Sequence, residues 1–260
     1  MQRSLLKIKP EVNKIEIRAW VYTRKQLSDA LENESVSYVY CPIKIIDKSL
    51  HSYKDRIIIL PPEYLADSEE KTRNELKKLY DEGFCFAAAH TVGHIELLRE
   101  LGFTIFGGNR LNCVNSRTAE FLYNEGIRDI ILSPELTVNQ IGKISCASET
   151  GIIAYGHLPL MINRRCPINN GKPCNGKNCG KRIKDRLGNE LSLICNENTV
   201  EILNSDVLIL SDKLKDFKVQ FVVLRFTVET EINPIIEAYK KGSKLNFKKI
   251  TRGLYYRGVE

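Results

Sequence analysis

The segment 84–106 reads Phe-Cys-Phe-Ala-Ala-Ala-His-Thr-Val-Gly-His-Ile-Glu-Leu-Leu-Arg-Glu-Leu-Gly-Phe-Thr-Ile-Phe. The short apolar run 84–89 predicts a buried strand, and the amphipathic segment 91–101, closed by Gly102, predicts a helix. A second apolar run at 103–106 predicts another strand. Two buried strands joined by a helix are typical of a parallel sheet, because parallel neighbours need a long crossover connection.

The same alternation extends in both directions from this unit. Apolar runs predict eight strands, at 15–21, 37–41, 56–60, 84–89, 103–106, 129–133, 152–155 and 219–226. Further helices are predicted at 25–32, 68–81, from Asn115 or Ser116 to Gly126, 135–145 and 232–241. Eight strands are the number that closes a TIM barrel. The predicted fold is therefore α/β, a TIM-type (β/α) barrel, with an open doubly wound sheet as the alternative.

The bulk composition fits one barrel domain over 1–260. The chain has 43% hydrophobic and 27% charged residues, which is typical of a globular protein. No segment resembles a secretory signal or a membrane span, so the predicted location is cytoplasmic. In a reducing compartment, the eight cysteines indicate metal binding or burial rather than disulfides.

Residues 162–218 do not follow the alternation and are predicted to be an insertion after the seventh strand. A β-hairpin is expected around Gly188-Asn189. Between Arg164 and Arg186 the chain has eight basic residues and only one acidic residue, Asp185, a local excess equal to the net charge of +7. Such a patch suggests an anionic partner such as RNA, or a shell that offsets a negatively charged cluster.

The segment 243–260 is interpreted as a basic aromatic tail. Its side chains could add charge and stacking to an RNA site, or could simply pack the chain end against the barrel. The residues concerned are Lys248, Lys249, Arg252, Tyr255, Tyr256 and Arg257.

Four cysteines in the insertion form a metal-ligand set. They are Cys166, Cys174, Cys179 and Cys195, separated by seven, four and fifteen residues. Structural zinc usually shows tight ligand pairs, and only the middle gap is short. Irregular spacing suits an iron–sulfur cluster, so spacing alone leaves zinc and iron–sulfur equal. The other cysteines, Cys41, Cys85, Cys113 and Cys146, are expected to be small buried side chains.

Barrel enzymes place their active sites at the carboxyl ends of the strands, which selects polar residues just after each apolar run. We predict catalytic roles for His157, Glu135 and Arg225. Substrate contacts are predicted for four further residues, Asn112, His90, Arg165 and Arg182. His157 could instead be a satisfied hydrogen-bonding group, and Arg225 could pair with Glu229. His94 is expected on a helix surface. The sequence has neither Gly-x-Ser-x-Gly nor His-Glu-x-x-His.

Several motifs resemble the collagenase-like peptidase family, peptidase family U32. They are Tyr155-Gly156-His157-Leu158-Pro159-Leu160-Met161, Arg165-Cys166-Pro167, Lys184-Asp185-Arg186-Leu187-Gly188, Leu111-Asn112-Cys113-Val114-Asn115-Ser116, Leu132-Ser133-Pro134-Glu135-Leu136 and Thr251-Arg252-Gly253-Leu254-Tyr255-Tyr256-Arg257-Gly258. The resemblance covers roughly residues 100–260, the later part of the long form. The first hundred residues match only in their strand–helix rhythm.

The resemblance implies a barrel protein whose four cysteines bind an oxygen-sensitive 4Fe–4S cluster. Family members include proteins of oxygen-independent hydroxylation, which modify a pyrimidine of tRNA or 23S rRNA with prephenate as a possible donor, or a ubiquinone precursor. The implied function is RNA hydroxylation with the cluster at the barrel mouth. The alternatives are a peptidase, as the family label says, and a non-catalytic cluster-bearing subunit.

The chain departs from the family pattern at its start. The usual Ser-Pro-Ala-Gly opening, the Ala-rich helix and the Gly-Ala-Asp-Ala-Val strand are absent. This departure suggests that a partner chain supplies a missing amino-terminal segment.

Overall fold

The computed structural model describes residues 14–65, 68–168, 182–196 and 199–259. Eight parallel strands form a closed barrel in chain order. Closure is made by the last strand, which pairs with both the first and the seventh. The barrel strands are β1 Glu16–Trp20, β2 Val36–Pro42, β3 Ile57–Leu60, β4 Phe86–Ala89, β5 Thr104–Gly107, β6 Ile127–Ile131, β7 Glu149–Gly156 and β13 Phe221–Arg225.

The predicted barrel is confirmed, and each of the eight predicted strands overlaps one of these. The open sheet is excluded by the β13–β1 register, in which Glu16 lies opposite Phe221 and Trp20 opposite Arg225.

The described residues form six α-helices, of which the first five connect barrel strands and the sixth follows the last barrel strand. They are α1 Arg24–Glu32, α2 Glu69–Asp81, α3 Val92–Glu100, α4 Ser116–Asn124, α5 Val138–Lys143 and α6 Asn233–Lys241. Asn115 caps α4, because its Oδ1 accepts a hydrogen bond from the Thr118 backbone N–H at 2.9 Å. Helix α5 is shorter than the predicted 135–145, because Thr137 and Gln140 form a capping box that starts it later.

A small antiparallel sheet lies between β7 and the next barrel-associated strand. Its strands are β8 Pro159–Asn163, β9 Arg182–Lys184, β10 Glu190–Asn196 and β11 Thr199–Leu203, in the order β8-β11-β10-β9. The expected hairpin at Gly188-Asn189 joins β9 to β10. Asp185 stabilises its turn by accepting backbone hydrogen bonds from Leu187 and Asn189.

After the small sheet the chain returns to the barrel. Strand β12, Val207–Ile209, pairs antiparallel with β7. Strand β14, Ile250–Thr251, pairs parallel with β12. No helix in the described ranges has the length and apolarity that a membrane span requires.

The amino end of the barrel is filled by a buried charge. Arg18 is 1% exposed and donates to Asp129 at 2.9 Å and to the Tyr40 hydroxyl at 3.1 Å. Its guanidinium lies 3.6 Å from the centre of the Phe221 ring. That ring requires glycine at position 151, because a Cβ there would lie 2.2 Å from it. Side chains therefore fill the barrel interior at this end, and a cavity of about 620 Å³ beside it is lined by residues that include Glu16, Glu34 and Tyr239. The opposite end carries the cavity described below.

Candidate active site at the carboxyl end of the barrel

Five polar side chains converge where the barrel strands end. Because all eight strands are parallel, residues that follow different strands meet at one face, which we call the mouth. The five are Tyr22 after β1, Glu63 after β3, His90 after β4, Arg110 after β5 and Arg225 at the end of β13.

A chain of ion pairs crosses the mouth and ends on the small sheet. Arg110 donates through Nε to Glu63 at 2.9 Å and through Nη2 to Glu201 at 2.9 Å. Arg225 donates through Nη2 to the other oxygen of Glu201, which belongs to β11 and is fully buried. Two arginines thus balance two carboxylates, which is how buried charge is stabilised in a protein interior.

Arg225 is also held by the barrel itself. It donates to the Tyr22 hydroxyl at 3.1 Å through Nε and to the His157 carbonyl at 3.1 Å through Nη1. The alternative pairing of Arg225 with Glu229 is wrong. Glu229 instead accepts hydrogen bonds from the Tyr155 hydroxyl and from backbone N–H groups of its own loop.

Beside these ion pairs lies a cavity of about 30 Å³, room for about one or two water molecules. Its walls are largely aromatic and prolyl; the lining residues include Trp20, Tyr22, Pro42, Pro61, Pro62 and His90.

Several buried polar atoms around this cavity have no hydrogen-bond partner among the described residues. They are Trp20 Nε1, Glu63 Oε2, Asn196 Oδ1 and both ring nitrogens of His90. Leaving such an atom unpaired costs about 1–3 kcal/mol, so a group of them around one cavity indicates a site that takes water or a ligand. The set contains both donors and acceptors.

The His90 ring is held neutral and fixed in place. Burial first, and then the positive charges of the neighbouring groups, lower its pKa well below the usual range. The centre of the ring lies 5.2 Å from that of the Trp20 ring, and the two planes are inclined by 48°. Gly108 permits this position, because a Cβ there would lie 2.4 Å from the imidazole. A neutral imidazole offers one donor and one acceptor to a ligand.

Glu63 is a buried carboxyl of the mouth whose pKa is raised. Burial, followed by the charge of Glu201, raises the pKa of its carboxyl to about 7, against the opposing effect of Arg110. When protonated, Glu63 can donate toward Glu201, whereas the ionised form leaves Oε2 without a donor in the described structure. A carboxyl group that titrates near neutral pH is suited to proton transfer.

His157 is half-buried at the rim, and its Nδ1 lies 2.7 Å from the Asn204 carbonyl. A carbonyl only accepts, so Nδ1 carries a proton. Glu135 is exposed in the loop after β6. Within the described residues, no hydrogen bond joins its side chain to His157 or Ser133. The three do not form a hydrolytic triad, and a catalytic role for Glu135 remains a prediction.

The predicted substrate residues are spread over the molecule. His90 lines the cavity. Asn112 is exposed and left-handed, with φ of 48°. Arg165 is exposed after β8, and Arg182 on β9 pairs with Glu190 at 2.8 Å. The structure does not bring these four together.

His94 is not a surface residue, contrary to the prediction. It is fully buried, and its Nδ1 accepts the His90 N–H at 3.1 Å while Nε2 lies 3.0 Å from the Pro62 carbonyl. It therefore ties the backbone after β3 to the start of α3.

Two of the four predicted cluster ligands lie in the described structure. Cys166 and Cys195 are both partly exposed and border one small apolar cluster of Leu193, Val200 and Ile202. Two partly exposed thiols that border the same apolar cluster are compatible with ligation of an iron–sulfur centre. Cys174 and Cys179 lie outside the described residues. Of the remaining cysteines, Cys41, Cys113 and Cys146 are buried as expected, and Cys85 is half-buried.

The cysteine face and the mouth face of the small sheet are different. Cys195 lies opposite Val200, and Ile194 lies opposite Glu201. Successive residues of a strand point to opposite faces. The side chains of Cys195 and Glu201 are therefore on opposite sides of the sheet, with Glu201 toward the mouth.

The tail contributes to packing. Tyr255 is 1% exposed and donates its hydroxyl to the Ile153 carbonyl, so it does not stack on RNA. Arg252 pairs with Asp212 at 2.6 Å. Tyr256, which is exposed, donates to Asp216.

Sequence reasoning missed Trp20, Tyr22, Glu63, Arg110 and Glu201. Tyr22 and Glu63 follow apolar runs, and the rule that found His90 could also have found them. Glu201 could not be found in this way, because it belongs to a strand of the small sheet.

Comparison with known proteins gives consistent results. The model of Peptidase family U32 matches residues 43–191, more than half of the chain. An uncharacterized protease of Methanocaldococcus jannaschii is 31% identical over 170 residues, which are 58% of this chain and 40% of that protein. The chain thus matches well under half the length of this curated relative. A solved structure of a U32 peptidase aligns with 87% of this chain and 99% of that chain, at 12% identity and a TM-score of 0.48.

Proposed function

Because the chain belongs to peptidase family U32, we propose that it is an iron–sulfur enzyme that hydroxylates a pyrimidine base of RNA without oxygen. The barrel mouth is the substrate site in this proposal. The observation that carries it is the cavity beside Trp20 and His90, with its unpaired donors and acceptors.

A pyrimidine fits the chemistry of these walls. Its flat faces stack on aromatic side chains, and its edge presents both donors and acceptors. Trp20 and His90 offer aromatic faces to the base. The Trp20 N–H is a hydrogen-bond donor, and Glu63 Oε2 and Asn196 Oδ1 are acceptors. A peptide bond would instead require an activated nucleophile or a metal-bound water.

The residues of the mouth bind the ring and move a proton. Trp20 and His90 orient the base, and Glu63 holds or releases a proton at Oε2. In the balanced reaction the ring exchanges C–H for C–OH, and an organic hydroxyl donor exchanges C–OH for C–H. Prephenate is the donor that the family resemblance suggests.

Cys166, Cys174, Cys179 and Cys195 would hold the 4Fe–4S cluster. Bound there, the cluster supplies electron transfer. The accessible placement of Cys166 and Cys195 on one face supports this assignment.

RNA binding is supported by exposed basic side chains on the small sheet and its approaches. Arg165, Lys184 and Arg186 are exposed, and such side chains bind phosphates.

Nucleoside mass spectrometry of tRNA and rRNA from a deletion strain tests the function. We expect one hydroxylated pyrimidine to disappear and to return with the wild-type gene. Cys166→Ser and Cys195→Ser should not restore it and should lose iron after anaerobic purification. Cys85→Ser, which changes a half-buried cysteine outside the set, is the matched control and should restore it. An unchanged nucleoside profile would contradict the proposal.

Peptide hydrolysis is the second candidate, favoured by one observation. Glu63 and Glu201 are neighbouring carboxyls in a buried site, and such pairs activate water in aspartic proteases. The printed name of the M. jannaschii relative agrees with this reading. Gelatin cleavage by cluster-free protein, lost in Glu63→Gln, would favour it over hydroxylation.

A further inference from the structure

The two arginines of the mouth are held in place independently of Glu201. Arg110 donates through Nε to Glu63 at 2.9 Å. Arg225 donates to the Tyr22 hydroxyl at 3.1 Å and to the His157 carbonyl at 3.1 Å. Each also donates through Nη2 to the same carboxylate, and the Nη2 of Arg225 donates to the Tyr22 hydroxyl as well. The barrel thus presents a preformed pair of guanidinium donors to a single oxyanion.

The oxyanion that fills this position belongs to the small sheet. Glu201 belongs to β11, and its side chain extends from the small sheet toward the mouth. Each of its carboxylate oxygens accepts a hydrogen bond from one arginine. The side chain is fully buried. Its carboxylate therefore joins the small sheet to two elements of the barrel.

The small sheet has an apolar cluster of its own. Leu193, Val200 and Ile202 pack with Cys166 and Ile183, separately from the main core. An element with its own cluster can move as a unit when its contacts with a neighbouring body are exchanged.

The small sheet also borders the cavity of the mouth. The cavity measures about 30 Å³, and Asn196 of the small sheet forms part of its wall. The buried atoms of Trp20, His90 and Glu63 that line it have no partner among the described residues. Movement of the small sheet away from the barrel would enlarge this cavity, because Asn196 moves with the sheet.

We propose that Arg110 and Arg225 form an oxyanion-binding site, that Glu201 is its internal occupant, and that a ligand carboxylate or phosphate replaces Glu201 and releases the small sheet. The oxyanion site itself does not depend on the proposed function. Only the expectation that the ligand also carries a flat ring rests on the proposed function. Charge balance is kept, because one anion replaces another on the same two arginines.

The test compares Glu201→Gln with Glu190→Gln in the full-length protein. Both variants remove a carboxylate that pairs with arginine, but Glu190 pairs with Arg182 on the exposed face of the same sheet. Binding of three probes, inorganic phosphate, uridine 5′-monophosphate and benzoate, is measured by calorimetry. Hydrogen–deuterium exchange of β10 and β11 is measured with and without each probe.

Removing an internal competitor should strengthen probe binding by about tenfold or more in Glu201→Gln, and leave it unchanged in Glu190→Gln. Adding Arg110→Gln to Glu201→Gln should abolish the gain. In the wild-type protein, a bound probe should accelerate exchange in β10 and β11. Preference for benzoate identifies a carboxylate ligand, and preference for uridine 5′-monophosphate identifies a phosphate.

Two results would overturn the inference. One is that no probe binds to the wild-type protein or to Glu201→Gln; the other is that binding leaves exchange of the small sheet unchanged or slower. If probes bind as expected but the nucleoside profile of a deletion strain is unchanged, the oxyanion site stands and the RNA function fails. If the modification is present but no probe binds, the function stands and the oxyanion site fails.

Discussion

The two ends of the barrel both contain buried charge, but they use it differently. At the amino end, Arg18 is enclosed by Asp129, Glu16 and the Tyr40 hydroxyl, and its guanidinium stacks on Phe221. Two atoms there, Asp129 Oδ1 and Gln220 Nε2, are without a partner in the described structure. At the carboxyl end, the ion pairs lie beside a cavity whose lining has five such atoms.

This difference separates a structural use of charge from a functional one. The Arg18–Asp129 ion pair occupies a position in the barrel interior that apolar side chains could fill, and its neighbours pack closely around it. Unpaired polar atoms around a cavity reduce stability, and proteins keep them where a ligand satisfies them. The comparison therefore supports the proposal that the mouth is the functional site, on the face where barrel enzymes carry theirs.

The largest effect is expected at the amino end. Arg18→Met leaves Asp129 buried without its partner and should lower the free energy of unfolding by about 3–5 kcal/mol. The double variant Arg18→Met, Asp129→Leu removes both charges and should recover most of this loss. Urea denaturation measures both. A double variant as unstable as the single one would show that the charge itself is required.

A smaller, pH-dependent effect is expected at the mouth. The raised pKa of Glu63 means that the folded protein retains a proton between about pH 4.5 and 7 that the unfolded chain has lost. Stability contributed by Glu63 is therefore present below this window and decreases as pH rises through it.

Glu63→Gln stays neutral at every pH, so the variant should lack this pH-dependent contribution to stability. The unfolding free energy of wild type relative to the variant should fall by on the order of 2 kcal/mol across the window. Burial lowers the pKa of His94 to about 4, an opposite contribution that both proteins share and that cancels in the difference. A pH-independent difference would remove Glu63 as the acid–base group.

Two glycines test the packing of the two ends directly. An added Cβ at Gly151 meets the Phe221 ring at 2.2 Å, and one at Gly108 meets the His90 ring at 2.4 Å. Phe221 is stacked against Arg18 and cannot yield, so Gly151→Ala should cost about 1–3 kcal/mol. His90 borders the cavity and can shift into it, so Gly108→Ala should cost less. Thermal unfolding ranks the two, and equal losses would mean that the mouth is packed as tightly as the amino end.

The smallest effect is expected on the outer surface of the small sheet. Arg182 and Glu190 pair while remaining 60% and 49% exposed. Breaking an exposed pair changes stability by less than about 1 kcal/mol, so Arg182→Gln should unfold in urea almost as wild type does. Its RNA affinity should decrease and depend less steeply on salt, if the side chain contacts phosphate. Unchanged affinity would remove Arg182 from the proposed RNA surface.

The barrel was predictable because its strands are continuous apolar runs and most of the crossovers between them carry a helical pattern. Gly102 and Asn115 marked helix ends correctly, since local backbone chemistry decides them. The later start of α5 was missed although the sequence contains its signal, because Thr137 and Gln140 have the spacing of a capping box.

The site was only partly predictable. His90 and Arg225 were found because they follow strands. Glu201 comes from the small sheet, and only tertiary packing brings it to the mouth. The Arg225–Glu229 expectation failed because nearness along the chain does not decide which carboxylate the guanidinium reaches. His94 was misplaced because the helical pattern does not reveal the Pro62 carbonyl that it meets.

The most direct test compares one variant from each end of the barrel in a deletion strain, with the hydroxylated pyrimidine measured by nucleoside mass spectrometry. Glu63→Gln should fold, bind iron and fail to restore the modified nucleoside. Arg18→Met, Asp129→Leu should restore it. Restoration by Glu63→Gln, together with failure of a stably folded amino-end variant, would contradict the assignment of function to the mouth.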